Sequence, residues 1–294
     1  MNPFEPRYPE LRLRRFRPIP VRMLVPNVIT LLAICAGLTA IRLSTEGRME
    51  LAVAAIVFAA LLDGIDGRVA RMIKGQSKFG AELDSLADFV NFGVAPGLIL
   101  YFWQLHQLGN GGWIAAMVFA ISGGLRLARF NATMDDPNKP AFASNYFTGV
   151  PAPLGAITVL LPIYLAFLGL PKLPSILTAL YTLLIAFLMV SRLPVFSGKT
   201  VRMRVPPELV LPVFVSVIFF IALLIGYPWH ILSAGSVLYL GSLPMGWKSY
   251  RDQARKFAAA AVAPAADAAP ASPAPSFAPT VPDPSEDERP ERLH

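Results

Sequence analysis

The chain has 294 residues, 54% of them hydrophobic and only 15% charged, with a formal net charge of +7. An ordinary soluble domain carries about 25% charge, so this composition excludes a soluble globular protein as the reading of the whole chain. A single cysteine, Cys35, excludes an intramolecular disulfide and a cysteine-based metal site; lying in an apolar run, it is expected to be a small packed hydrophobe.

In chain order, an arginine-rich arm comes first, over residues 1–22. Its segment Leu11 to Arg17 alternates basic and apolar residues and is expected to lie along the inner membrane surface. No cleaved signal peptide is expected, because the first apolar run starts late and no small-residue cleavage pattern follows it. Apolar runs near the ~20 residues that cross a bilayer core then recur. They predict eight helices, at roughly 25–43, 51–73, 82–106, 112–130, 151–170, 173–192, 207–227 and 229–247. The expected fold class is therefore all-α, a polytopic membrane helical bundle over residues 23–247. Two connections, about 131–150 and about 193–206, are too long for simple hairpins, and longer loops are disproportionately functional. The remainder, 248–294, reads as a basic cap followed by a disordered Ala/Pro-rich cytoplasmic tail, since dense proline prevents helix and little apolar surface can be buried.

The basic residues are distributed unevenly. With the N-terminus in the cytoplasm, 23 of the 26 lysines and arginines fall on the inner side of an eight-span chain, leaving Arg42, Arg48 and Lys172 outside. The positive-inside rule then predicts an inner-membrane protein of bacterial type with both termini cytoplasmic. The surplus charge is topology plus attraction to anionic lipid headgroups, not a nucleic-acid surface.

Against that background the aspartates stand out. Asp63, Asp66 and Ala70 share one helical face, with Gly67 on the same side. Gly80, Asp84 and Asp88 form a second stripe on the next helix. Consecutive spanning helices run antiparallel, so the stripes can face each other near the cytoplasmic end. An Asp at the centre of a membrane helix costs roughly 2.5–3.5 kcal/mol. A lone Asp at a helix end reads as a cap or a snorkelling charge; four on two facing stripes read as a one- or two-metal site. The three histidines, His106, His230 and His294, lie far from the aspartates in sequence. The ligands are thus oxygens, which favours magnesium, manganese or calcium over zinc.

The run Asp66-Gly67-x2-Ala70-Arg71-x8-Gly80-x3-Asp84-x3-Asp88, with Asp63 three residues before it, resembles the signature of the CDP-alcohol phosphotransferase family, with every fixed position at the right spacing. The resemblance covers most of the membrane body but neither the arm nor the tail. It implies a divalent metal, Mg2+ or Mn2+ (Ca2+ belongs to the same oxygen-liganded class), held by Asp63, Asp66 and Asp84, with Asp88 bridging metal and acting as base. It also implies that Gly67, Ala70, Arg71 and Gly80 approach the cytidine diphosphate of a lipid donor, CDP-diacylglycerol. The side chains suit that role: glycine and alanine leave room for a nucleotide, and arginine pairs well with phosphate. Pro26-Asn27-Val28-Ile29-Thr30 resembles the motif at the start of the family's first helix, which would bring Asn27 and Thr30 to the nucleotide. A homodimer is implied as well.

The stretches Asp84 to Gly97, Arg126 to Asn131 and Phe147 to Pro153 are similar to the phosphatidylserine synthase branch of that family, although Asn91 stands where the branch usually has serine. This implies transfer of a phosphatidyl group to the hydroxyl of L-serine with release of CMP. Arg126 or Arg129 would hold the serine carboxylate, and Asn91 or Asn131 would hydrogen-bond the acceptor. Glycerol 3-phosphate or an inositol derivative would also want basic residues, so the arginines by themselves leave the acceptor open. A divalent-cation transporter is the alternative from another class. It would place acids at mid-depth on several, often broken, helices, whereas these lie near one face on two consecutive helices beside Arg71.

Overall fold

The computed structural model describes residues 21–73, 77–133, 146–191, 193–196 and 207–262. The arm up to residue 20, most of the two long connections and the tail from residue 263 lie outside the described residues, and the expectations for them with it.

Helices α1 (Val21–Thr45) and α2 (Met49–Met72) form the first hairpin. Its turn contains Gly47 at φ 76° and an Arg42–Glu46 ion pair at 2.8 Å. The buried stripe of α1 is Ala33, Gly37 and Ala40, and it packs on Ala52, Val53, Ile56 and Ala59 of α2. Small side chains on both partners let the two backbones approach closely. Cys35 falls off that stripe and is exposed, so the expected packed position is corrected: two residues along a helix is just over half a turn, which puts it opposite the contact face.

The next helical rod is built from three parts. In α3 (Lys78–Asp88), Ser77 caps the start by accepting from the Gly80 N–H at 2.9 Å. A π-helical turn, Phe89–Val94, follows, and α4 (Ala95–Trp103) completes the rod. The wide turn stands directly before Pro96, whose missing N–H and bulky ring disrupt a regular i→i−4 ladder. A short 3-10 segment, Leu105–Leu108, leads to α5 (Asn110–Thr133). Glycines seat α5 on this rod: a Cβ on Gly123 would stand 3.1 Å from the Gly93 Cα, and one on Gly97 would stand 2.9 Å from the Ala116 carbonyl oxygen.

Then follow β1 (Tyr146–Thr148), α6 (Ala152–Val159), α7 (Leu161–Phe167), α8 (Ser175–Val190), β2 (Pro194–Phe196), α9 (Pro207–Gly226) and α10 (Pro228–Val262). Helix occupies each of the eight predicted stretches, but not always as one spanning rod. Among the described residues four helical segments are long and apolar enough to cross a membrane: Leu24–Thr45, Lys78–Trp103, Asn110–Thr133 and Leu209–Gly226. The stretch 151–170 is two short helices broken at Leu160, just before Pro162. Helix α8 has 16 residues, and α2 is interrupted by Glu50, Asp63, Asp66, Arg68 and Arg71. These apolar helices fit an integral membrane protein. Exposed large hydrophobics along α9, such as Val210, Phe214, Ile218 and Ile221, suit contact with lipid rather than water.

The all-α expectation needs one amendment. Strands β1 and β2 pair antiparallel, with Tyr146 opposite Phe196 and Thr148 opposite Pro194, so the two long connections meet. Three-residue strands are too short to show alternation in sequence. Gly149, at φ 78°, turns the chain out of β1, and its N–H donates to the Leu193 carbonyl at 2.8 Å. A Cβ there would overlap the Met189 carbonyl oxygen. Gly149→Ala is therefore expected to destabilise the protein by about 1–3 kcal/mol, read as a lower melting temperature in detergent.

The core is formed by Phe92, Ile99, Leu100, Phe119, Tyr164, Ile185 and Met189 among others. The buried Tyr164 donates to the Ile157 carbonyl at 3.0 Å, and its ring stacks on Trp229 with centroids 6.4 Å apart, which ties α7 to α10. A second compact unit starts at Asp252; its described part, through Val262, is helical.

Candidate active site

The end of α2 carries Asp63 and Asp66, and α3 carries Asp84 and Asp88. A carboxylate oxygen from each of Asp63, Asp66 and Asp84 lies within 4.8 Å of the other two. Asp66 is 3% exposed. One of its oxygens accepts from the Thr30 hydroxyl of α1 at 2.7 Å, while the other is buried with no hydrogen-bond partner. Asp88 stands beside this group: its carboxyl meets that of Asp63 at hydrogen-bond range, and its Oδ1 is buried and unpartnered.

Like charges so close repel, and a positive partner is needed to hold them together. Among the described residues the ion pairs within 4 Å are Arg42–Glu46 and Arg48–Glu46, so none of the four aspartates has a basic side chain at that range. Three hard oxygen donors with an orphaned buried oxygen among them fit a divalent cation. The acidic cluster of Asp63, Asp66 and Asp84 can hold a metal ion.

A cleft of about 570 Å³ opens next to it. From α1 it is lined by Pro26, Asn27 and Thr30, from α2 by Asp66, Gly67, Ala70 and Arg71, and from the start of α3 by Ser77, Lys78, Gly80, Ala81 and Asp84. All six residues expected on the nucleotide side (Asn27, Thr30, Gly67, Ala70, Arg71 and Gly80) thus share one wall system with two of the carboxylates. The glycines keep it open. A Cβ on Gly80 would stand 2.9 Å from Asn27 Oδ1, and at Gly67 the nearest group is the Arg71 guanidinium, at 3.8 Å. Sequence reading missed Lys78 and Ser77 as lining groups. Lys78 also counts as one of the positive-inside charges, but a cation at the start of the aspartate helix is a usable signal.

The four residues expected at the acceptor separate into two kinds. Arg126 of α5 is buried, its Nε has no partner, and it lies within electrostatic reach of Asp88 and of Tyr239 on α10. Asn91, in the π-helical turn, is fully buried with both amide atoms unpartnered, and it abuts Gly37 of α1. The other two are engaged. Arg129 donates to the Val190 carbonyl at 2.6 Å, capping the end of α8, and Asn131 donates to the Ser85 hydroxyl at 3.0 Å. Nothing in the local sequence separates the two arginines; the direction each faces depends on what α5 packs against. Tyr239 was also missed, being one tyrosine inside an apolar run.

Known proteins resemble this chain over the segment that carries the aspartates. A family model described as CDP-alcohol phosphatidyltransferase matches residues 23–191, and one described as CDP-alcohol phosphatidyltransferase 2 matches 208–244. The CDP-diacylglycerol–serine O-phosphatidyltransferase of Mycobacterium tuberculosis is 50% identical over 137 residues, 47% of this chain and 48% of the relative. The protein of the same name from Helicobacter pylori strain J99 is 40% identical over 148 residues, 50% of this chain and 60% of the relative. That of Bacillus subtilis is 34% identical over 137 residues, 47% of this chain and 73% of the relative. The chain thus spans about half the length of the mycobacterial relative it matches. The match over 23–191 takes in more than half of the chain, the whole aspartate cluster and the entire lining of the cleft, and the chain belongs to the CDP-alcohol phosphatidyltransferase family.

Proposed function

We propose that this chain is an integral membrane enzyme that transfers the phosphatidyl group of CDP-diacylglycerol to the hydroxyl of L-serine and releases CMP. The observation that carries this reading is the shared wall: Asp66 and Asp84 belong both to the acidic cluster and to the cleft lined by small residues and Arg71. The names of the relatives support serine as the acceptor. So does the buried Nε of Arg126, left without a hydrogen-bond partner within electrostatic reach of Asp88, because serine brings a carboxylate together with the attacking hydroxyl.

In this reading Asp63, Asp66 and Asp84 hold a divalent metal, Mg2+ or Mn2+. When bound, the metal neutralises charge on the diphosphate and on the departing CMP. Gly67, Ala70 and Gly80 leave room for the nucleotide, Asn27 and Thr30 line its far side, and Arg71 pairs with phosphate. Asp88 takes the proton of the serine hydroxyl as that oxygen bonds to the diacylglycerol-bearing phosphorus. The bond from this phosphorus to the bridging oxygen breaks, and CMP leaves with the electron pair. The body over 23–247 crosses the inner membrane eight times, both termini and the site lie on the cytoplasmic side, and the enzyme works as a homodimer, with the arm and tail as separate segments.

The test is an acceptor panel. Purified full-length protein is given radiolabelled CDP-diacylglycerol with L-serine, glycerol 3-phosphate or inositol phosphate, with and without Mg2+ or Mn2+. CMP release is expected with serine and metal together. Release with glycerol 3-phosphate instead would assign a sister synthase; metal flux into liposomes without any CMP would assign a transporter. A second expectation concerns the cleft. Gly80→Ala crowds Asn27, and overpacking of this kind costs about 1–3 kcal/mol, so the KM for CDP-diacylglycerol should rise about tenfold or more while the KM for serine stays unchanged.

A further inference from the structure

Helix α10 lies beyond the segment that carries the aspartates, and its inward face is polar. Ser233 and Ser236 are buried, Tyr239 is partly buried, and the three are spaced one helical turn apart. Hydroxyls in membrane helices ordinarily bond a carbonyl of their own helix. Thr158, Thr182, Ser216 and Ser242 do so here. Among the described residues the hydroxyls of Ser233, Ser236 and Tyr239 have no hydrogen-bond partner.

The Tyr239 phenol lies within electrostatic reach of the Arg126 guanidinium, which in turn reaches Asp88. Three orphaned polar groups thus lie in series, each within electrostatic reach of the next: Asp88 on α3, Arg126 on α5 and Tyr239 on α10, with Asp88 Oδ1, Arg126 Nε and the Tyr239 hydroxyl all buried and unpartnered among the described residues. Two of these are donors and the third is an acceptor. An N–H and an O–H donor suit the two oxygens of a carboxylate, and Asp88 suits a hydroxyl that must give up its proton.

We propose that Tyr239 is a specificity-determining residue: its phenol, together with Arg126 Nε–H, donates to the carboxylate of the acceptor and so delivers the acceptor hydroxyl to Asp88. The proposal rests on the transferase reading above and deepens it. Donor chemistry then belongs to the segment matched at 23–191, and part of acceptor selection belongs to the segment matched at 208–244.

The test is Tyr239→Phe in the purified full-length protein, which removes the hydroxyl and keeps the ring; an unchanged melting temperature verifies folding. The serine KM should rise about tenfold, with kcat and the KM for CDP-diacylglycerol within about twofold of wild type. Serinol, which keeps the hydroxyl and amine but lacks the carboxylate, should be used equally well by variant and wild type. An unchanged serine KM overturns the proposal. So does an equal loss with serine and serinol, which would give Tyr239 a purely structural role. Failure of the wild type to use serine, in the same assay, would instead overturn the transferase reading on which the proposal stands.

Discussion

Asp66→Asn is expected to abolish metal-dependent transfer, with CMP release falling on the order of 10²–10³-fold or more. The substitution is close to isosteric, and the amide oxygen can still accept from the Thr30 hydroxyl that now meets Asp66 at 2.7 Å. The fold is therefore kept while one of the three clustered carboxylates loses its charge and one of its oxygens. Two measurements check this. Calorimetric titration with CDP-diacylglycerol should show Mg2+-dependent binding in the wild type and none in the variant, and the turnover rate should fall to near background. Metal-dependent binding that survives the substitution would remove Asp66 from the ligand set.

Asp88→Asn separates the two jobs that the aspartates are given. Asp88 stands beside the group of three and not among the atoms that share the 4.8 Å radius. It adjoins Asp63 and lies within electrostatic reach of Arg126. As the base it contributes the proton-transfer part of catalysis, typically about 10²–10⁴-fold. The expected result is a kcat lower by that factor with metal-dependent donor binding retained, the signature of an interaction used mainly in the transition state. Near-normal CMP release would remove Asp88 as the base. Loss of donor binding together with kcat would make it a metal ligand first.

The two variants divide a site that the sequence presents as one run of acids. Spacing along a helix is a local property, so the stripe of Asp63 and Asp66 and the stripe of Asp84 and Asp88 could be drawn on paper. Their meeting was expected from two consecutive helices joined by a short turn. The cleft was legible for the same reason: Gly67, Ala70 and Arg71 are neighbours of Asp66 on one helix, and Gly80 stands one turn before Asp84. Spans were less legible. Apolarity marks a helix but not its length, and a break such as that at Leu160 before Pro162 divides one apolar run into α6 and α7.

By itself the sequence determined the membrane character of the chain, the oxygen-rich chemistry of its acidic cluster and the small-residue lining of the cleft, all of which arise from composition or from periodicity within a single helix. Only the tertiary structure decided that Asp88 lies within electrostatic reach of Arg126 while Arg129 caps α8, that Asn91 is wedged against Gly37, and that Tyr239 arrives from α10. Each of these depends on how one helix is rotated against another far away in the chain, and that rotation is set by packing, through contacts such as Gly93 against Gly123 and Tyr164 against Trp229, that no local pattern of residues encodes.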